Sequence, residues 1–587
     1  MISTFYHPVF GRLKLFTVLL LLAAAGLTPP GANAQTIPVG DFRDSQFRLL
    51  QLLSDSTTEL SFMNRPVSGS SYRKAAENYE APSRAWWNRP LRSPSVELSE
   101  DFTLGFYEPE LKSTVNSKLP YGENNGAAWY GRGLNTELQA GFHITSEFLD
   151  FSFRPHIIYQ QNRDFRLPRF IPVDRNGDSR YAAQNPSSNG IMGTRIDRPF
   201  RFGPGSYTTF DWGHSSIRFH HHGVELGFSS EPLWWGPGVQ YALTLSNNAA
   251  GIPHAFLGTR DPLELPWNIG HLQLRWVWGW PRDSKYFDFV PGRYKRKRFM
   301  NGLNIVYSPS FLPNLHLGIS RIIHQYIPDN GMKASDYLAI FKPFPDPDRD
   351  VLSSALDASH FEDKNALGSV YFRWVLPESN AEVYGEYYKE SHNWNLRDFL
   401  MQPQHGRAYT VGAQKILESN WIDFVKINAE INSLLPTRVD EIRPQSYYYT
   451  HYHVKQGHTS RGQLLGAAIG PGSSSEYLGV EGYFKQGMAG LFVQRVAENN
   501  HLHYEWYQRW FEGGGFKDIY HHRVNLNIGI TGKYQIADFL LGARMIWNKN
   551  YNYGRHHYGD FRYGWGGRPK DDIINIQYQL SIKYLFP

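Results

Sequence analysis

From Ile574 to Phe586 the chain alternates between apolar and polar residues almost without a break. The even positions are Ile574, Ile576, Tyr578, Leu580, Ile582, Tyr584 and Phe586. Between them stand Asn575, Gln577, Gln579, Ser581, Lys583 and Leu585, and only the last of these is apolar. A period of two describes a strand with one face in an apolar medium and the other in a polar one. The run has the length of a tilted membrane-crossing strand, roughly 9–11 residues, and exceeds what a soluble sheet usually needs. With an aromatic at its end and only Pro587 beyond, it reads as the last strand of an outer-membrane barrel. The final strand of a soluble sandwich is the competing assignment. In a closed barrel this strand would pair with the first one, near Phe102–Phe106, because closure leaves no free edge.

Composition decides between classes. A mean hydropathy of −0.47 excludes a helical membrane protein. It does not exclude a barrel, in which only every second strand residue meets lipid and the lumen and loops are polar. Aromatics make up 15% of the chain, which suits both interfacial girdles and carbohydrate surfaces. Cysteine is absent, which removes disulfides, thiolate zinc sites, thiol nucleophiles and a lipidated N-terminal cysteine together. The formal charge of +6 is a mild excess and does not argue for nucleic acid.

Residues 1–34 read as a secretory leader. Arg12 and Lys14 form its basic end, Leu15 to Ala25 its apolar core, and Ala32-Asn33-Ala34 a cleavage site that puts the mature start at Gln35. Residues 35–100 form a second region. Phe42, Leu49, Leu50 and Leu53 fall at helical spacing, with Asp41 or Asp44 as cap, so a helix is expected at the periplasmic side before the barrel begins. Residues 66–100, rich in Ser, Pro, Arg and Asn, read as linker or plug. From 101 to 587 the period is two. Examples are Leu138–Ile144, Leu272–Trp280, Val370–Leu376, Val524–Ile530 and Phe539–Trp547, among roughly 16–18 such segments. Short turns, such as Thr145–Glu147, Ser308–Asn314 and Gln535–Asp538, alternate with long polar connections, such as 160–215, 281–298, 325–365, 433–475 and 548–573. Short periplasmic turns and long outer loops are the organisation of an outer-membrane barrel. No fixed-period repeat is present, which disfavours a propeller.

The sharpest local motif is Glu231-Pro-Leu-Trp-Trp-Gly-Pro-Gly238, continued by Ser246-Asn247-Asn248-Ala249. Pro237 lacks an amide donor and Gly236 and Gly238 permit tight turns, so a regular strand must end there. The indoles of Trp234 and Trp235 could pack beneath a loop. They could instead stack on sugar rings, with the Asn247 and Asn248 amides meeting hydroxyls. This motif, at a strand end and followed by an Asn-bearing turn, resembles the capsule assembly protein Wzi family. Three collinear stretches agree: Asp41 to Asp55, Leu315 to Ile323, and Tyr449-Thr-His-Tyr-His453 followed by Gly457-His458 and Gly466 to Gly472. The resemblance implies an all-β fold, a transmembrane antiparallel β-barrel of about 18 strands with a small N-terminal helical segment. It also implies a non-catalytic outer-membrane lectin that helps attach capsular or extracellular polysaccharide at the cell surface. Spacings here are longer than in the family, and 160–215 and 325–365 look like enlarged loops.

On residue chemistry and motif position, the expected polysaccharide-binding residues are Trp234, Trp235, Asn247, Asn248, Arg260, Tyr452 and Arg461. The expected partners are that polysaccharide, outer-membrane lipid and lipopolysaccharide, and the barrel-assembly machinery during biogenesis, with no nucleic acid. The basic run Arg293-Tyr-Lys-Arg-Lys-Arg298 reads either as a solvated loop or as an attractor for acidic glycan or lipid phosphate. His220-His221-His222, His451 with His453, and His521-His522 invite a metal reading. Adjacent residues on a strand point to opposite faces, and no carboxylate stands at a suitable spacing, so neither metal nor cofactor is expected. Asp211, Glu231, Asp261 and Glu264 are the carboxylates from which a glycosidase pair would be drawn. No G-x-S-x-G, P-loop or H-E-x-x-H motif is present. A saccharide diffusion channel on the same barrel is the main alternative to the lectin, and a glycan-degrading enzyme is a third reading.

Overall fold

The computed structural model describes residues 36–54, 59–72, 85–88, 93–167, 196–287, 296–341, 364–390, 396–437, 448–451, 453–498, 522–553 and 572–586. The expected leader, Tyr452, Pro587 and residues 293–295 of the basic run lie outside them.

Antiparallel strands close into one barrel. In chain order they are β1 (Thr103–Asn116), β2 (Gly133–Thr145), β3 (Leu149–Phe153 resuming as His156–Gln160), β4 (Tyr207–Asp211 resuming as Ser216–His221), β5 (Val224–Ser229) and β6 (His254–Thr259). Then come β7 (Gly270–Gly279), β8 (Arg298–Pro309), β9 (Leu315–Tyr326), β10 (Lys364–Leu376), β11 (Ala381–Glu390) and β12 (Arg407–Glu418). The last six are β13 (Phe424–Ser433), β14 (Ser474–Phe484), β15 (Gly487–Ala497), β16 (Val524–Ile536), β17 (Phe539–Tyr551) and β18 (Ile573–Tyr584). The fold class read from the sequence is therefore the one observed.

The alternation on β18 sorts as its period requires. Leu580 is 65% exposed on the outside, whereas Asn575 is 0% and Lys583 3% exposed in the lumen. A cation on the outer face would lose its water without gaining a partner. Leu580→Arg is expected to cost about 2–4 kcal/mol, the usual range near a bilayer midplane, read as a lowered urea midpoint for the protein folded into lipid vesicles. Closure joins β18 to β1, but through Gln577–Lys583 against Glu110–Asn116 rather than near Phe102–Phe106. Strands that close a barrel are tilted and staggered, so the last strand meets the upper part of the first. The lower part of β1, Thr103–Gly105, pairs instead with Ser95–Glu97.

Short turns such as 222–223, 485–486 and 537–538 gather at one end, and the long connections at the other. The first is the periplasmic end and the second the extracellular end. Helix α1 (Phe42–Leu53) starts at Asp41, whose carboxylate accepts from the Arg43 amide at 3.1 Å. Its apolar residues Phe47, Leu49, Leu50 and Leu52 cluster with Phe62, Tyr72 and the lumen-side Val375 and Ile416. Its polar residues are buried too: Arg43 pairs with Glu108 of β1 and Arg48 with Glu382 of β11. Asp41, just before the helix, pairs with Lys583 of β18 and Arg154 of the β3 break. Buried charges of this kind need partners, and the partners stand on the inner wall. This is why the helix lies inside the periplasmic end of the barrel and not below it.

Candidate functional site

The connection between β5 and β6, residues 230–253, turns into the lumen from the extracellular end. Trp234 and Trp235 pair with Asn64 and Arg65 of the N-terminal region, joining the two lumen fillings by a short two-stranded ladder. Gly236 follows at φ 118°, a conformation that a side chain would strain. The next turn is held by one carboxylate. Glu430 of β13 accepts the amides of Val239, Gln240 and Tyr241 at 2.6, 3.0 and 3.1 Å, together with the Tyr384 hydroxyl at 2.8 Å. Residues 449–451 and 453–472 pack on this loop from the extracellular side. The Ser246 amide donates to Leu465 O, the Tyr449 hydroxyl to Leu243 O, and His458 Nε2 meets Thr244 O at 2.6 Å.

This packing relocates several expected binding residues. Trp235 is fully buried among Tyr241, Leu243, Leu245, Val277 and Met300, so neither of its faces is open to a sugar. Trp234 is 3% exposed, with the Arg65 guanidinium 4.5 Å above its ring. Asn247 is buried, its amide at 3.5 Å from Val39 O. Arg260 lies at the periplasmic end, where its amide bonds Gly223 O and its guanidinium reaches Asp150 at 3.4 Å; an extracellular glycan does not meet it there. Arg461, held at φ 52°, is paired with Asp211. Asn248, by contrast, lines an open cavity.

The basic run shows a similar reversal. Arg298 is buried, donates to Gly457 O, Thr459 O and Arg282 O at 3.0–3.1 Å, and pairs with Asp283 at 3.2 Å, so it anchors the outer loops. The four carboxylates do not face one another. Asp211 pairs with Arg461, and Asp261 accepts from Ser68, Ser70 and Ser71. Glu264 sits in the periplasmic connection after β6. Burial would raise the Glu231 carboxyl, but Arg218, the Thr36 hydroxyl and Ser229 outweigh it and hold it near 2. Among the described residues no group of three or more His, Asp or Glu side chains is placed to hold a metal ion.

The open cavity, of about 210 Å³, lies at the extracellular mouth beneath the connections 117–132, 196–206 and 462–469. One wall is a chain of side-chain hydrogen bonds that all run the same way. Arg523 donates to Asn550, Asn550 to Asn548, Asn548 to Asn527, Asn527 to Gln494, Gln494 to the Tyr241 hydroxyl, and that hydroxyl to Glu123. It begins at a cation and ends at a carboxylate, so each member polarises the next and fixes which way its amide points. Glu123, Arg523, Asn548 and Asn550 face the cavity.

Tyr121, Trp129 and Arg198 also line the cavity. Trp129 is half-buried and heads an aromatic group, with Phe202 at 5.1 Å and Phe165 at 6.3 Å from ring to ring. Arg198 makes no hydrogen bond or ion pair of its own among the described residues. Its burial lowers the guanidinium's affinity for its proton, an effect that nearby Glu498 opposes. Burial likewise pushes the Glu123 carboxyl up, against the bond from Tyr241. A site of aromatic edges, oriented amides and both signs of charge suits a polyhydroxylated ligand. Part of it was visible in the sequence. Asn525 with Asn527, and Asn548 with Asn550, repeat at the period of a strand and mark a polar inner face. Trp129 and Arg198 carry no local signal, since each comes from a different outer connection.

A family model described as "Capsule assembly protein Wzi" matches residues 109–511. In three dimensions the chain is similar to a protein of Escherichia coli described as Wzi, an outer-membrane protein involved in group 1 capsule assembly and a carbohydrate-binding β-barrel. The identity is 13% and the TM-score 0.56, covering 94% of this chain and 100% of that one. OccAB3 of Acinetobacter baumannii is also matched, at 10% identity and a TM-score of 0.38, over 83% of this chain and 99% of the other. A search of curated proteins returned no match to the sequence.

Proposed function

The chain belongs to the capsule assembly protein Wzi family, and from that premise we propose that it is an outer-membrane lectin that binds capsular or extracellular polysaccharide at the cavity of Trp129, Arg198, Asn248 and the Asn548–Asn550 wall. The observation that carries this reading is the one-way chain from Arg523 to Glu123. A row of amides with fixed direction presents donors and acceptors in a set order, as recognition of sugar hydroxyls requires. Trp129 supplies an aromatic ring, and Arg198 a cation with no hydrogen bond or ion pair among the described residues. The protein acts by attachment rather than turnover: of the carboxylates from which a glycosidase pair would be drawn, Asp211 and Glu231 are paired with Arg461 and Arg218, and Asp261 is held by serines. Lumen filling by 36–54, 59–72, 230–253 and 453–472 favours the lectin over the diffusion channel.

The test uses full-length protein in detergent, titrated with polysaccharide released from the same cells. Trp129→Ala with Arg198→Ala is expected to weaken binding at least about tenfold, or about 1.4 kcal/mol. In cells, the same variant should shift polysaccharide from the bound to the shed fraction without lowering the total. Wild-type affinity in the double variant would overturn the site. A large stable conductance in planar bilayers, with no polysaccharide binding, would replace the lectin by the channel.

A further inference from the structure

The outer wall carries a second feature, unrelated to the mouth cavity. Between β9 and β12 the lipid-facing surface is hollowed into an apolar groove of about 520 Å³, bounded by Val370, Phe372, Tyr387, Tyr409 and Val411. Its floor is Gly385, where a Cβ would come within 2.9 Å of the Phe372 ring. These side chains face lipid: Val370 is 51% and Val411 56% exposed.

Directly above, on the same outward face, two cations oppose each other. The register pairs Gly385 with Val411, Tyr387 with Tyr409, and Lys389 with Arg407. The cation pair thus stands four residues, about 13 Å along the strand, above the groove floor, at the extracellular end. Arg407 makes no ion pair among the described residues; its guanidinium stands over Tyr409 at 5.8 Å. The Lys389 ammonium stands over Phe399 at 5.3 Å. Beside them the short helix Leu396–Met401 exposes Leu400 and Met401. The Tyr387 hydroxyl ties this connection to the wall by donating to Pro403 O.

An apolar trough, an aromatic pair and a cation pair, stacked in that order toward the outside, match the layers of one kind of molecule. We propose that this wall is a binding site for lipopolysaccharide. Its phosphate would sit between Lys389 and Arg407, its sugar against Tyr387 and Tyr409, and an acyl chain in the groove over Gly385. Arginine and lysine together neutralise a phosphate that neither could hold as well alone. The extracellular end places the site in the outer leaflet, and the site does not depend on the cavity reading.

The test is native mass spectrometry of the full-length protein, stripped of lipid and reconstituted in phosphatidylcholine nanodiscs containing rough lipopolysaccharide. The wild type should retain lipopolysaccharide. Lys389→Gln with Arg407→Gln should lower retention at least fivefold, as should Val411→Trp, which fills the groove without touching the charges. Dephosphorylated lipopolysaccharide should fail to be retained, and polysaccharide affinity should stay at the wild-type value in all variants. Heat-dependent electrophoretic mobility checks that each barrel is folded. The site is overturned if both variants retain lipopolysaccharide as the wild type does, if the dephosphorylated form is held equally, or if phosphatidylglycerol displaces it mole for mole.

Discussion

Trp235→Ala is expected to destabilise the ligand-free protein by about 3–5 kcal/mol, the range for emptying a large aromatic site in a packed interior. The ring is fully buried, and its edge lies so close to Gly302 of β8 that a Cβ there would meet it at 2.9 Å. No neighbour can move in to fill the space, because the surrounding side chains are held on rigid strands or on the loop that Glu430 pins. The measurement is the urea midpoint of the protein in detergent without polysaccharide. A tryptophan that served as a sugar platform would have to be exposed in the free protein. Its removal would then fall within about 0.5 kcal/mol of zero and appear only on adding ligand. A small effect in the free protein, with a large loss of binding, would return Trp235 to the site from which its burial removes it.

That contrast marks where sequence reading succeeds and where it stops. The barrel was legible because its cause is local: a strand between two media must alternate, and Leu580 and Lys583 sort to the two sides whatever else the chain does. The Trp234-Trp235-Gly-Pro-Gly motif was legible as a place where a strand must end. Which way it turns was not, because that depends on Asn64 and Arg65, about 170 residues earlier, and on Glu430, about 190 later. The same holds for Arg260. Its residue type suits a glycan, but only the count of strands before it puts it at the periplasmic end. Arg198 and Trp129 face the reverse problem, since neither sits in a motif and they are brought together by loops of different strands. A local pattern fixes which face a residue takes; meeting a partner depends on topology.

The second large effect lies at the junction of the lumen fillings. Glu382 of β11 is fully buried between two guanidinium groups: Arg48 of α1 donates to it at 2.6 Å and Arg373 of β10 at 2.8 Å. Arg48 also donates to Pro237 O at 2.7 Å, so one side chain ties helix, barrel wall and inward loop together. Arg373 bonds Gln51 and Ser61 O at 2.7 and 2.9 Å. Glu382→Ala leaves two buried cations with only neutral acceptors. Removing one partner from a buried ion pair typically costs about 3–5 kcal/mol, because the remaining charge stays desolvated. The loss should fall first on α1, whose anchor is released, and be read as protease cleavage within 36–72 under conditions where the wild type resists. Replacing all three charges at once, with Arg48→Met and Arg373→Met added to Glu382→Ala, removes the stranded cations and should recover most of the loss. If Glu382→Ala alone costs less than about 1 kcal/mol, water reaches this junction and the ion pair does not anchor the helix.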